Sequence, residues 1–358
     1  MLKNELMRRQ LPDLLLAKSN KVNNEGWTLR REEIKSILDN ELFGRLPIAD
    51  AVCDWETEFE ETVLGGKGIV RLIRVDAQVN GKPFSWRFYY SLPKRNGLSP
   101  VFLQIGFGKM LPMDFVPTEE IFDYGFGIAV LNYTSITSDD DDFSSGLAGL
   151  FYPSGKRGEH DAGKIGLWAW AASRTLDALL SAPEIDPARV NVVGHSRLGK
   201  TALWAGAMDE RFGGVISVQS GCGGAAIARI NTGETVRDIT ERFPYWFAPA
   251  YAKYAGKEFD MPFDQHFLLS LVAPRKLYVS SAAGDLWADP LGEYLSCVAV
   301  SPVFELLGQT GVDACDSLSE DMVLHGGQIG YHRRPGTHFF SRLDWQRIMM
   351  FFQEDEKS

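Results

Sequence analysis

The sequence predicts an α/β fold in which a mostly parallel central sheet carries helices on both faces. Two observations predict it. From about residue 100 onward, short apolar runs alternate with helix-length segments, the pattern of strands joined by helical crossovers. One of those strands runs into a helix through a sharp, serine-bearing turn between Gly194 and Gly199. The chain has 358 residues, 45% hydrophobic and 23% charged, which is ordinary globular composition. Nothing in the composition marks a second domain, so residues 1–358 are expected to form one domain, with about 1–46 as an N-terminal helical arm.

The elements follow in order. Leu29 to Leu42 has helical spacing, and Gly44 and Pro47 end it. Between Trp55 and Leu92 the runs GIVRLIRVDAQV and FSWRFYYSL alternate in hydropathy around a turn at NGK, which predicts an antiparallel hairpin. VFLQIGF and GIAVLNY are apolar throughout and read as strands buried on two faces. TSITSDDDDFSSG reads as a solvated loop. Its spacing lacks the glycine and distal glutamate of a calcium loop. IGLWAWAASRTLDALL predicts a helix, RVNVVG a strand, KTALWAGAMD a helix and FGGVISVQS a strand. DQHFLLSL then reads as a short helix, KLYVSSA as a strand and LDWQRIMMFFQ as a closing helix.

Composition excludes several classes. The net charge of -10 repels nucleic-acid phosphates, and no apolar stretch reaches membrane-spanning length. The four cysteines, Cys53, Cys222, Cys297 and Cys315, are far apart with no C-x-x-C pair. They are expected to be free thiols, with no metal site. Glu5, Arg8, Arg9 and Gln10 interrupt any export-type apolar run near the start, so the expectation is a cytoplasmic protein.

The chemistry points to Gly194-His195-Ser196-Arg197-Leu198-Gly199. Small residues around a serine let a strand turn abruptly into a helix and lift the hydroxyl above the strand ends. That is the nucleophile elbow of the α/β-hydrolase fold. Here Leu198 stands where the common G-x-S-x-G pattern has its last glycine, and the glycine comes one residue later. The helix is expected to begin near Gly199 or Lys200. A serine used as nucleophile needs a base, and the base an acid. Of six histidines, His338 lies in the loop before the last helix, where this fold keeps its base. His332 is the alternative, and His195 adjoins the serine and is expected to point elsewhere. Asp285, just past the strand KLYVSSA, is the favoured acid over Asp289, which reads as a helix cap, and Glu293. The bland alternative for Ser196 is a helix cap.

Taken together, GHSRLGKTALWAGAMDERFGGVISVQSGCGGAA, RFPYWFAPAYAKY, DQHFLLSLVAPRKLYVSSA, DLWADPLGE and YHRRPGTHF resemble the glucuronoyl esterases, carbohydrate esterase family 15, over roughly Gly163 to Phe351. Bacterial members are often labelled acetyl xylan esterases. The resemblance implies an α/β-hydrolase without metal or other cofactor that cleaves glucuronic-acid esters of xylan. It makes Ser196 the nucleophile, His338 the base and Arg197 an oxyanion-stabilising arginine. It gives Lys200 and Glu234 contacts to sugar hydroxyls and Trp246 a place lining the sugar site. Trp246 reads alternatively as a core aromatic.

Two departures stand out. Many members carry the acid as glutamate in an ESG motif, where this chain has Gln219-Ser220-Gly221. Other members take the acid after the following strand, an arrangement that Asp285 fits. The family is mostly secreted, and no export signal is visible here. The expected partner is a carbohydrate ester, with no nucleic acid and no membrane. A deacetylase of xylan or oligosaccharides is the rival within enzymes. A catalytically dead carbohydrate-binding homologue, favoured by Gln219 and opposed by Asp285, is the rival outside them.

Overall fold

A computed structural model describes residues 2–17, 20–47, 51–108 and 115–353. Helix α1 is Leu2–Arg9, and Leu16–Ala17 (β1) pairs with Asn20–Lys21 (β2). Helix α2, Asn24–Glu41, starts five residues before the predicted Leu29 because the side chain of Asn23 accepts a 3.0 Å bond from Gly26 N and caps it. Its Ile34 and Leu38 are fully buried in the same core as the central sheet.

Among the described residues the main sheet has ten strands in the order β11-β12-β10-β9-β8-β6-β7-β5-β4-β3. Three antiparallel strands lead in: β3 (Ala51–Val63), β4 (Gly68–Val79) and β5 (Lys82–Pro93). The predicted β4–β5 hairpin closes through Asn80 and Gly81, both with positive φ of 52° and 71°. The twist of a two-residue hairpin needs that conformation. β6 (Ser99–Gly106), β7 (Gly127–Asn132), β8 (Ile185–His195), β9 (Gly214–Val218), β10 (Lys276–Ala282) and β12 (Ile329–Arg334) form the parallel core. β11 (Met322–Leu324) pairs antiparallel at the far edge.

Two apolar layers sandwich this sheet. α3 (Thr118–Asp123) and α10 (Arg342–Gln353) cover one face, where Ile121, Trp345, Ile348 and Phe352 meet Phe102, Val193 and Ile216 of the strands. α5 (Lys164–Leu180), α6 (Arg197–Met208), α8 (Gln265–Ser270) and α9 (Pro290–Leu306) share the other core with α2 and α4 (Gly146–Phe151). α7 is Val236–Arg242. The mostly parallel sheet with flanking helices is the fold the sequence predicts. No described helix is long and apolar enough to cross a membrane.

Register places the chemistry. His195 pairs with Val218, Val218 with Ser280, and Ser280 with His332, so β8 and β9 end in one row and β10 and β12 end two residues past it. The residues just beyond that row are Ser196, Gln219, the loop holding Asp285 and the loop holding His338. Crevices beyond the carboxyl ends of parallel strands are where open α/β sheets bind ligands.

Candidate active site

Ser196 is the turn itself, with φ 58° and ψ -125°. α6 begins at Arg197, not near Gly199 as expected, because the serine's own carbonyl accepts the first helical bonds, from Gly199 N at 2.9 Å and Lys200 N at 3.2 Å. Its N–H is tied to Val218 O at 2.8 Å. The tightness of the bend explains the displaced glycine. A Cβ on Gly194 would lie 2.0 Å from Leu198 O, and one on Gly199 would meet Ser220 Cβ at 3.0 Å. Glycine is needed where the helix crosses back over the strand, and Leu198 instead points its side chain into the core.

His338 Nδ1 lies 2.6 Å from Asp285 Oδ2. Asp285 is buried while the His338 side chain remains 43% exposed. A cavity of about 320 Å³ brings Ser196, Arg197, Lys200, Glu234, Asp285 and His338 together, with Trp246, Trp287, Arg242 and Gln219 also on its wall. The alternatives for base and acid go elsewhere. His332 sits inside β12, fully buried between Tyr278 OH (2.8 Å) and Asp344 Oδ1 (2.9 Å). Asp289 precedes α9 and accepts from Thr232 Oγ1 at 3.0 Å. Glu293 is buried inside α9, accepting from Gly221 N (3.0 Å) and Ser281 Oγ (2.6 Å), and burial pushes its carboxyl up to about 8. His195 packs its ring 4.5 Å from that of His338, and burial pushes it down to about 3, so it stays neutral.

The reading of the aspartate run as a solvated loop is corrected at Asp139. Its carboxylate accepts from Arg197 Nη1, Trp246 Nε1 (2.7 Å) and Tyr133 OH (2.9 Å), and it therefore faces the site. Lys164, buried beneath the loop, holds it further by donating to Thr137 Oγ1 at 2.9 Å and Asp142 O at 2.6 Å. A run of four like charges gives no sign of which one turns inward, so only the chain fold could find Asp139. Arg197 is thus fixed: its guanidinium carbon sits 4.7 Å from the Trp246 ring centre, and its buried Nε has no hydrogen-bond partner among the described residues.

Trp246 is brought to the cavity wall, but only 3% of it is exposed, and it stacks on Phe243 with ring centres 3.8 Å apart. Little of its flat face is left for a sugar. The tryptophan that opens on the cavity is Trp287, 49% exposed, which in the sequence is one residue of DLWADPLGE with no separate signal of its role. Its carbonyl receives Glu234 N at 2.8 Å, so the two sit side by side. Lys200 is buried and donates to Ser220 O, and burial pushes its ammonium below the usual lysine range. All four cysteines are free thiols. Among the described residues no group of three His, Cys, Asp or Glu is placed to hold a metal ion.

Comparison with known proteins shows what the chain as a whole is similar to. A family model described as glucuronyl esterase, fungi, matches residues 75–308. The chain is 32% identical to carbohydrate esterase MZ0003 from an unknown prokaryotic organism, over 95% of this chain and 88% of that one. It is 30% identical to a 4-O-methyl-glucuronoyl methylesterase of Podospora anserina over 79% of this chain, and spans 56% of that relative's length. Among solved structures, a promiscuous CE15 esterase from a marine bacterial metagenome superposes with a TM-score of 0.87 at 31% identity, covering 96% of each chain. A glucuronoyl esterase from Solibacter usitatus gives 0.86 at 33%, covering 96% of this chain and 97% of the other. An elbow serine beside a histidine–aspartate pair, on a sheet matched end to end by these esterases, leaves one assignment: the chain belongs to the glucuronyl esterase family of carbohydrate ester hydrolases.

Proposed function

We propose that the protein hydrolyses glucuronic-acid esters of xylan-type saccharides, with Ser196 as nucleophile, His338 as base and Asp285 as the acid. The observation that carries the assignment of roles is the 2.6 Å contact of His338 Nδ1 with Asp285, in the cavity that also holds Ser196. With Nδ1–H committed to Asp285, the neutral ring presents Nε2 as the proton acceptor. Ser196 Oγ attacks the ester carbonyl as its proton passes to His338, which Asp285 stabilises in its charged form. The main-chain N–H of Arg197, at the start of α6, and the anchored guanidinium face the developing oxyanion. The alcohol leaves with the proton from His338. Water then attacks the acyl-enzyme and gives a proton to His338, which returns it to Ser196 Oγ as the acyl–Oγ bond breaks and the free uronic acid departs.

The substrate reading rests on the family and on a wall suited to a sugar, with the donors Arg197, Lys200 and Arg242 beside the acceptor Glu234 and the open indole of Trp287. A second reading, short-chain acyl esters such as acetylated xylan, is favoured by similarity to the promiscuous CE15 esterase. Hydrolysis of benzyl glucuronate beside 4-nitrophenyl acetate separates them. Glucuronate turnover should exceed acetate turnover, vanish with Ser196→Ala and fall by roughly 10⁴-fold with Asp285→Asn, the loss that follows when a triad acid is neutralised. Turnover of acetate alone would replace the substrate reading. Full activity of Asp285→Asn would remove Asp285 from the triad.

A further inference from the structure

His338 depends on more than Asp285 for its place. It rides on the loop between β12 and α10, whose main chain is held from several sides. Arg334 donates to Pro335 O (2.9 Å), Thr337 O (3.3 Å) and Phe339 O, and Gly284 N donates to Gly336 O at 2.8 Å. Asp344 locks Arg334 by accepting from its Nε at 2.8 Å, and also accepts from Ser341 N at 2.7 Å. The residue directly after the histidine is gripped by Gln219. Phe339 N donates to Gln219 Oε1 at 2.9 Å, and Gln219 Nε2 donates to Phe339 O at 3.3 Å. One amide thus engages both main-chain polar groups of one residue.

Three further facts point the same way. Gln219 is 1% exposed, so its amide has these partners instead of water, and losing them would leave buried polar groups unsatisfied. Its φ is 49°, a left-handed conformation that a glutamine adopts only at a cost of about 1 kcal/mol. Such local strain persists where the surrounding structure requires it. Finally, it follows Val218, whose carbonyl accepts the N–H of Ser196, and its own N–H is bound to Ser280 O at 2.7 Å. The side chain therefore links the sheet edge carrying the nucleophile to the loop carrying the base.

We propose that Gln219 is a positioning residue for His338, setting the height of the imidazole over Ser196 by clamping the Phe339 main chain while Asp285 sets the ring's rotation. The proposal rests on the Ser196–His338–Asp285 reading above. It makes glutamine chemically required: the clamp needs one acceptor and one donor on the same planar group. A carboxylate of the same size accepts from Phe339 N–H but faces Phe339 O with a second acceptor.

The test compares wild type, Gln219→Met and Gln219→Glu for ester turnover and for the rate at which a fluorophosphonate phosphonylates Ser196, a reaction that needs the same proton transfer to His338 but no particular sugar. Methionine keeps the packing and removes both hydrogen bonds. Expected for Gln219→Met is a kcat lower by roughly 10- to 100-fold, the loss typical of a catalytic group displaced by about 1 Å. KM should stay within about twofold, labelling should slow in parallel, and the protein should still unfold cooperatively. Gln219→Glu should also lose activity. The proposal is overturned if Gln219→Met labels and turns over within about threefold of wild type. It is equally overturned if Gln219→Glu is faster than wild type, since the position would then want a charge and not a clamp. Wild type that does not label at all would instead sink the Ser196 reading, so the two failures are distinguishable.

Discussion

At the scale of single residues, Asp139 shows how a charge becomes part of a site by where it points. Its carboxylate collects three donors, from Arg197, Trp246 and Tyr133. It fixes the guanidinium of the residue after Ser196 and balances its charge. Asp139→Asn keeps the shape and removes the charge, and it should lower kcat/KM about tenfold, less than the roughly 10²- to 10³-fold loss when an oxyanion donor is removed outright. Asp139→Ala leaves the indole N–H and the phenol without an acceptor and should in addition cost about 2 kcal/mol of stability. Steady-state kinetics and chemical denaturation read the two effects separately. Wild-type kinetics in both variants would mean that anchoring Arg197 contributes nothing to turnover.

At the scale of elements, the strand–turn–helix unit of β8 and α6 does the positioning. The serine takes positive φ because the helix must start at the very next residue, and the bend brings Leu198 O against Gly194. Any side chain at 194 therefore collides with backbone, which cannot move without opening the turn. Gly194→Ala should cost more than about 3 kcal/mol, or else fold with the elbow displaced and turnover lost. Thermal unfolding and turnover together check this, and an active variant of normal stability would show that the bend is looser than described. Leu198 by contrast has no such constraint, so the displaced glycine of this chain is a consequence of packing and leaves the elbow intact.

At the scale of the molecule, buried titratable groups set the pH response. Burial holds His195 down to about 3 and His266 down to about 4. The unfolded chain therefore binds protons below its ordinary histidine range while the folded one does not. Stability falls as pH drops below about 6.5, by up to about 1.4 kcal/mol per pH unit for each histidine. Asp344 is held below the usual carboxylate range by His332, Arg334 and Ser341 against the opposing pull of burial. Its contribution is present above about pH 4 and is lost as acid protonates it. Glu293 acts with the opposite sign. Raised to about 8, it stays protonated in the fold while the unfolded chain ionises above about 4.3, so it costs stability as pH rises toward 8. Maximum stability is expected between about pH 6 and 7, and Glu293→Gln should flatten the decline on the alkaline side by about 2 kcal/mol between pH 6.5 and 8. Melting temperatures across pH 4 to 9 test both limbs; a variant that declines as steeply as wild type would refute the role of Glu293.

The sequence alone determined the alternation of strands and helices, the elbow at Ser196 and the order of serine, aspartate and histidine along the chain. All of these are written in local pattern: apolar runs of strand length, small residues at the bend, and a histidine after proline and glycine ahead of a helix. It also carried a family resemblance specific enough to be matched by the relatives over most of the chain. What only the tertiary structure decided depends on residues far apart in sequence meeting at the strand ends. Asp139 reaches Arg197 across 58 positions and Gln219 reaches Phe339 across 120. Trp287 opens on the cavity while Trp246 is buried against Phe243. Neither an aspartate in a polar run nor a tryptophan in an apolar one carries a local signal of which way it will face. That direction is set by the register of the sheet and the packing of the loops above it.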